Sequence, residues 1–146
     1  MSQLPRFALA LVAAFAPAAL AQVSMEPGLW HLTTKSTTNG KPEPTQEQDE
    51  CLTPKELSDL NKYFAPELEG LTAKCQRAQR KTADKSIAYH MKCAGKGFTM
   101  DIESAVKIDG PKRFTATMAM DTRTAKERAL VKADIVAEHK GACPAK

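Results

Sequence analysis

Apolar and polar residues alternate along four successive segments in the second half of the chain. An extended strand places alternate side chains on opposite faces, so this pattern is typical of antiparallel sheets with one buried and one solvated face. The segments recur about every ten residues, and Asp109-Gly110 is a turn sequence between two of them. The positions assigned to the buried face are Ile87, Tyr89, Met91 and Cys93, then Phe98, Met100, Ile102, Ser104, Val106 and Ile108, then Phe114, Ala116, Met118 and Met120, then Val131, Ala133, Ile135 and Ala137.

Two more strands are predicted nearer the N-terminus. Residues 28–37 form a strand candidate and are followed by Asn39-Gly40, the strongest short signal for a hairpin. The returning segment contains Pro42 and Pro44, which lack the N–H group that a ladder requires, so we expect an edge strand that pairs only over residues 45–51. The predicted fold class is therefore mainly β, an antiparallel meander of about seven strands that curls into a barrel or half-barrel.

A single short helix is predicted at about residues 53–65, between the second and third strands. Thr53 is suited to the N-cap, and Glu56 three residues later completes a capping box. Pro66 ends the helix, because the residue before a proline is disfavoured in helical geometry. We expect the helix to cover one edge of the sheet or to plug one mouth. Its hydrophobic staple and apolar face consist of Leu52, Leu57, Leu60 and Phe64.

The longest apolar run lies at the N-terminus, over residues 7–21. It follows Arg6 and ends in Ala19-Leu20-Ala21, a small-residue site typical of secretory signal peptides. Its 15 residues are too few to span the hydrocarbon of a bilayer, which takes about 20. We therefore predict a signal peptide over residues 1–21 with cleavage after Ala21. The remaining residues, 22–146, are expected to form one exported β-rich domain without a transmembrane segment.

Four cysteines supplement a small predicted core. Leu, Ile, Val and Phe make up only 19 of the 125 residues after the cleavage site, and an even cysteine count in an exported chain favours two disulfides. Cys75 and Cys93 are symmetric about Asp84 and could face one another across a hairpin. Cys51 and Cys75 instead flank the helical segment. We prefer Cys51–Cys75 with Cys93–Cys143, and the other two arrangements stay open.

Several short motifs occur together in this chain. They are Pro27-Gly28-Leu29-Trp30, Cys51-Leu52-Thr53-Pro54, Cys75, Lys92-Cys93-Ala94-Gly95, Thr117-Met118-Ala119-Met120 and Gly141-Ala142-Cys143. The set resembles an exported family of Gram-negative bacteria known as domain of unknown function 3617, over about residues 25–143. The resemblance implies a periplasmic location and a small β-rich fold. It implies no activity, so no catalytic residue is transferred to this chain.

No motif of a known enzyme class stands out in the sequence. There is no G-x-S-x-G nucleophile elbow, no C-x-x-C redox pair and no phosphate-binding loop. Asp101 and Glu103 share a solvated strand face, where we interpret them as solubility charges rather than as a glycosidase pair. We therefore expect no enzyme activity, no catalytic residues and no cofactor.

The histidines and methionines are interpreted as structural. The three histidines lack the H-x₃-H and H-E-x-x-H spacings of metal sites, so we expect solvated or half-buried side chains and no metal site, unless distant strands bring them together. The methionines on the buried face fill irregular core space, with Cu(I) binding by the same thioethers as the alternative. These residues are His31, His90 and His139, and Met91, Met100, Met118 and Met120.

Charge is distributed unevenly along the chain. Residues 41–69 hold 8 acidic and 3 basic side chains, whereas residues 74–96 hold 7 basic and 1 acidic. The basic segment could contact an anionic envelope component, or it could pair with the acidic segment. Export removes nucleic acid as a partner. The residues proposed to contact an anionic ligand are Lys74, Arg77, Arg80, Lys81, Lys85 and Lys92.

Together these features predict a non-enzymatic, disulfide-stapled periplasmic module that binds an envelope component or a small apolar ligand. A periplasmic copper-handling protein is the first alternative. An enzyme with a site at the barrel mouth is the second.

Overall fold

The computed structural model describes residues 24–66, 73–76 and 79–145, and the predicted signal peptide lies outside them. Within the described residues, nine strands form one antiparallel sheet that does not close into a barrel. The strands are β1 Gly28–Thr38, β2 Lys41–Pro42, β3 Gln46–Leu52, β4 Ala73–Cys75, β5 Gln79–Ala83, β6 Ser86–Gly95, β7 Phe98–Gly110, β8 Arg113–Thr124 and β9 Arg128–Gly141. The predicted mainly β, antiparallel fold is confirmed, and the open sheet excludes its closed-barrel form. The sheet has more strands than expected because β2 and β4 are short additional strands.

Strand β1 pairs with β3 on one side and with β9 on the other. Strands β9, β8, β7 and β6 follow in that order, and β4 and β5 both pair with β6. The predicted pairing of the returning segment near residues 45–51 is confirmed, because β3 pairs with β1 from Thr34↔Gln46 to Gly28↔Leu52. Its restriction to those residues is wrong, because Lys41 and Pro42 also pair with β1, next to the turn. The first and last long strands of the chain are therefore neighbours.

The register places the alternating apolar residues on one face, which we call the inner face; the opposite face is the outer face. Tyr89 lies opposite Ser104, and Ser104 lies opposite Met118. The predicted alternation is confirmed. Met118 also lies on the inner face, but its side chain is not buried, since the residue is 37% exposed. The buried side chains of the sheet are Trp30, Leu52, Ile87, Tyr89, Met91, Cys93, Ile102, Val106, Ile108, Phe114, Ala133 and Ala137.

The helical segment is shorter than the predicted helix over residues 53–65. It consists of a 3₁₀ turn, Glu56–Ser58, and a short helix α1, Leu60–Tyr63. Asp59 separates them because its backbone is extended and its carboxylate accepts a hydrogen bond from the Lys62 N–H, which makes it the cap of α1. No helix among the described residues is both long and apolar enough to cross a membrane.

The predicted capping box is confirmed. The Thr53 N–H donates to Glu56 Oε2 at 2.8 Å, and the Glu56 N–H donates to Thr53 Oγ1 at 3.3 Å. These two hydrogen bonds satisfy backbone donors at the start of the segment. The Thr53 hydrogen bonds also hold the pKa of Glu56 below its usual range.

The helical segment packs onto the inner face of the sheet. Leu57, Leu60 and Phe64 contact the core cluster that contains Trp30 and Phe114. The rings of Phe64 and Phe114 are 5.1 Å apart in an edge-to-face arrangement, and those of Trp30 and Phe114 are 5.6 Å apart. The segment thus covers apolar surface that the sheet alone would expose.

The preferred disulfide pairing, Cys51–Cys75 with Cys93–Cys143, is wrong. The structure pairs Cys51 with Cys143 and Cys75 with Cys93. Cys75 and Cys93 lie directly opposite each other on β4 and β6, across the hairpin turn at Asp84. Cys51 lies opposite Leu29, which pairs with Gly141 on its other side, so β1 brings both ends of the first bridge together.

We expect Phe114→Ala to destabilise the oxidised protein by about 3–5 kcal/mol, because it removes a buried ring between two aromatic neighbours. Met118→Ala on the same strand is the matched control and should cost less than about 1 kcal/mol, since Met118 is partly exposed. Urea denaturation of both variants measures the difference. Equal losses would contradict the assignment of Phe114 to the core.

Candidate functional site

A trough of about 720 Å³ crosses the middle of five adjacent strands, β5 to β9. Much of its lining is small or apolar, and the rest is charged. The small and apolar residues are Ala88, Tyr89, Ala105, Met118, Ala119 and Ala133. The charged and titratable residues are Arg80, Lys81, His90, Glu103, Lys132 and Asp134.

The lining residues fall in three neighbouring rows across the strands, and successive rows direct their side chains to opposite faces of the sheet. The middle row lies on the inner face and consists of successive strand partners: Arg80, Tyr89, Ser104, Met118 and Ala133. The two flanking rows, which hold the other lining residues, direct their side chains to the outer face. A ligand that contacts the Met118 side chain therefore contacts the middle row.

Met118 is the large hydrophobic residue exposed in the described part of the chain, and it lines the trough. The other three methionines of the inner face behave as core residues. Met91 is buried, and Met100 and Met120 pack against the cluster around it. The predicted core role therefore fits these three, whereas Met118 offers its thioether and methylene groups to the trough.

Tyr89 connects the trough to the helical segment. Its hydroxyl donates a hydrogen bond to the backbone carbonyl of Asn61 in α1. Burial raises the pKa of the Tyr89 phenol, and the nearby Arg80 opposes that change. The phenol therefore keeps the proton that this hydrogen bond needs.

The six basic residues predicted to contact an anionic ligand do not form one surface. Arg80 and Lys81 line the trough, and Lys85 borders a separate depression of about 480 Å³ beside the helical segment. Lys74 and Lys92 border a third depression of about 490 Å³. Arg77 lies outside the described residues.

The acidic and basic segments do not neutralise each other in the part of the chain that the structure describes. There, no ion pair joins residues 41–66 to the basic segment. The basic segment forms an ion pair with β7 instead, because Lys92 Nζ is 3.6 Å from Asp101 Oδ2. Arg80 and Lys81 are both exposed, but as successive strand residues they point to opposite faces, and Arg80 shares the inner face with Met118.

A cluster of His90, Asp101 and Glu103 lies on the outer face of β6 and β7. His90 Nε2 is 2.7 Å from Asp101 Oδ1, and Glu103 lies directly opposite His90. One ligand atom from each of the three residues lies within 4.8 Å of the other two. Asp101 and Glu103 were expected on a solvated strand face, and His90 was expected as a half-buried or solvated residue without a metal role. The signal that could have joined them was that His90 belongs to the polar set of the preceding strand, which pairs with the strand of the two carboxylates.

The other two histidines have different surroundings. His31 Nδ1 is 2.7 Å from Asp49 Oδ1 across β1 and β3. His139 stacks edge-on against Trp30 at 5.5 Å, and its Nε2 is 3.1 Å from the Pro27 carbonyl oxygen. All three histidines are half-buried, as the sequence predicted, and they are dispersed over the sheet.

No curated protein and no solved structure matches the chain. The model of one protein family, described as "Protein of unknown function (DUF3617)", matches residues 25–143. The match spans both disulfides and every strand from β1 to β9. The chain therefore belongs to the DUF3617 family of proteins of unknown function.

Proposed function

We propose that the protein is an exported, non-enzymatic binding module that holds a small amphipathic ligand in the trough. The ligand has an apolar chain and an anionic head. The observation that carries the proposal is the partial exposure of Met118 in an open trough whose inner-face row also contains the exposed cation Arg80.

The apolar part of the lining suits a hydrocarbon chain. Sites for small molecules commonly enclose about 300–1,000 Å³ and combine an apolar lining with a few polar groups. The trough, at about 720 Å³, has this size and this composition. Covering Met118, which is 37% exposed, would remove apolar surface from water, and that favours binding.

The charged part of the lining suits an anionic head. Arg80 is exposed and is the charged member of the inner-face row that contains Met118. A carboxylate or phosphate placed beside its guanidinium would gain charge-assisted hydrogen bonds. This positive charge favours an anion over a cation on the inner face of the trough.

Export to the periplasm is the second part of the proposal. The two disulfides are typical of proteins that fold in oxidising compartments. The apolar run before Ala21, with its small-residue cleavage site, has the pattern of a signal peptide. Both features agree with an envelope lipid or fatty acid as the class of ligand.

A binding role is favoured over the two alternatives. An enzyme site at a barrel mouth loses its structural basis because the described sheet is open. Copper handling by a group of thioethers is disfavoured because three of the four inner-face methionines pack in the core.

Expression of the full chain in a Gram-negative host tests export. We expect the protein in the periplasmic fraction with Gln22 as its first residue, as determined by N-terminal sequencing. Ala21→Arg should block cleavage because the processing site accepts small residues. An intact Met1 terminus in the cytosolic fraction of wild-type cells would contradict the proposal.

Thermal shift and calorimetry with decanoate test the trough. We expect decanoate to bind and raise the melting temperature, and decanol to bind more weakly because it lacks the anionic head. Met118→Ser should weaken decanoate binding about tenfold through lost apolar contact. Arg80→Ala should weaken decanoate binding and leave decanol binding unchanged, because Arg80 is the cation in the same row as Met118.

Lys126→Ala is the matched control for charge, since Lys126 is exposed in the loop between β8 and β9 and does not line the trough. It should leave both affinities unchanged. Failure of the wild-type protein to bind either compound at millimolar concentration would overturn the ligand proposal.

A further inference from the structure

We propose that His90, Asp101 and Glu103 form a binding site for one divalent transition-metal ion of the zinc class. The site lies on the outer face of β6 and β7 and does not depend on the ligand proposed for the trough. Imidazole and carboxylate oxygen are both ligands of Zn²⁺ in proteins. Three protein ligands leave a fourth position of the ion open to water.

The spacing of the three side chains fits a single ion. Their ligand atoms lie within 4.8 Å of one another, and two of them, His90 Nε2 and Asp101 Oδ1, are 2.7 Å apart. Ligand atoms on a tetrahedral Zn²⁺ with bonds of about 2.0–2.2 Å are separated by about 3.4 Å. Small side-chain rotations therefore suffice to place all three atoms around an ion.

The backbone beneath the site is fixed by strand pairing. β6 pairs with β7 from Ser86↔Lys107 to Gly95↔Phe98, and β5 pairs with the other side of β6 as far as His90. Sites on paired strands hold their ligands more rigidly than sites on loops. The side chains of His90 and Asp101 are 36% and 41% exposed, so an ion can reach them from solvent.

The carboxylates of the site favour a cation, and the ammonium group of Lys92 competes with a metal ion for them. Two carboxylates and a neutral imidazole offer two negative charges to the ion. The Lys92 ammonium, 3.6 Å from Asp101 Oδ2, occupies part of the same space and opposes a second cation. The Nε2 lone pair becomes a ligand when the ring carries its proton on Nδ1, and binding to a protonated ring releases that extra proton.

The structure supplies an internal control for this site. His31 and Asp49 are also a cross-strand pair with a nitrogen–oxygen distance of 2.7 Å. Glu138 lies opposite His31 on β9, but its Oε2 is paired with Lys140 Nζ at 2.7 Å. Among the described residues, the group of three whose ligand atoms come within 4.8 Å of one another is His90, Asp101 and Glu103. If a histidine–aspartate pair alone were enough to bind Zn²⁺, the His31–Asp49 pair would bind it as well as the His90–Asp101 pair does.

Calorimetric titration of the mature protein with Zn²⁺, after removal of any affinity tag, tests the proposal. We expect one ion per chain and at least a tenfold loss of affinity in each of His90→Ala, Asp101→Asn and Glu103→Gln. His31→Ala and Asp49→Asn should retain the wild-type affinity. Lys92→Met should bind Zn²⁺ more tightly, because it removes the competing ammonium.

Nuclear magnetic resonance of the wild-type protein provides a measurement that does not depend on how the variants fold. Zn²⁺ should shift the ring resonances of His90 and leave those of His31 unchanged. Absence of wild-type binding at millimolar Zn²⁺ would overturn the proposal. Equal losses of affinity in the His31 and His90 variants would also overturn it, as would equal shifts of both rings.

Discussion

The packing of Trp30 is the contact on which the rest of the fold depends. Trp30 is fully buried, its ring lies 5.6 Å from Phe114 and 5.5 Å from His139, and its indole N–H donates to the Glu26 carbonyl. Phe64 extends the cluster to the helical segment. Gly28 allows this arrangement: its φ is +140°, and a Cβ there would clash with the Gly141 carbonyl and the His139 ring. One aromatic cluster thus joins β1, β8, β9 and the helical segment.

Features set by neighbouring residues in the sequence were predictable, and features set by strand order were not. The two-residue alternation placed the core face, and the Thr53–Glu56 capping box marked the start of the helical segment. The break at Asp59 was missed because its carboxylate caps a second, shorter helix. The disulfide pairing was wrong because it depends on β1 lying between β3 and β9, which no local pattern indicates.

The two candidate sites arise from the same property of the sheet. Cross-strand register places Tyr89, Ser104 and Met118 side by side on the inner face, and it places a histidine opposite a glutamate on the outer face. Met118 could be assigned to the inner face from sequence, but its exposure depends on the size of residues on other strands. His90 was likewise visible as a polar strand residue, and only the register of β6 and β7 brings it to Asp101 and Glu103.

Disulfide mapping of the unreduced protein tests most directly whether β1 joins the two ends of the domain. The bridges Cys51–Cys143 and Cys75–Cys93 have distinct products after trypsin digestion. The structure predicts that the peptide of residues 36–55 is linked to that of residues 141–146, and that residues 75–77 are linked to residues 93–96. A linked pair containing Cys51 and Cys75 would contradict the strand order on which the core and both proposed sites are built.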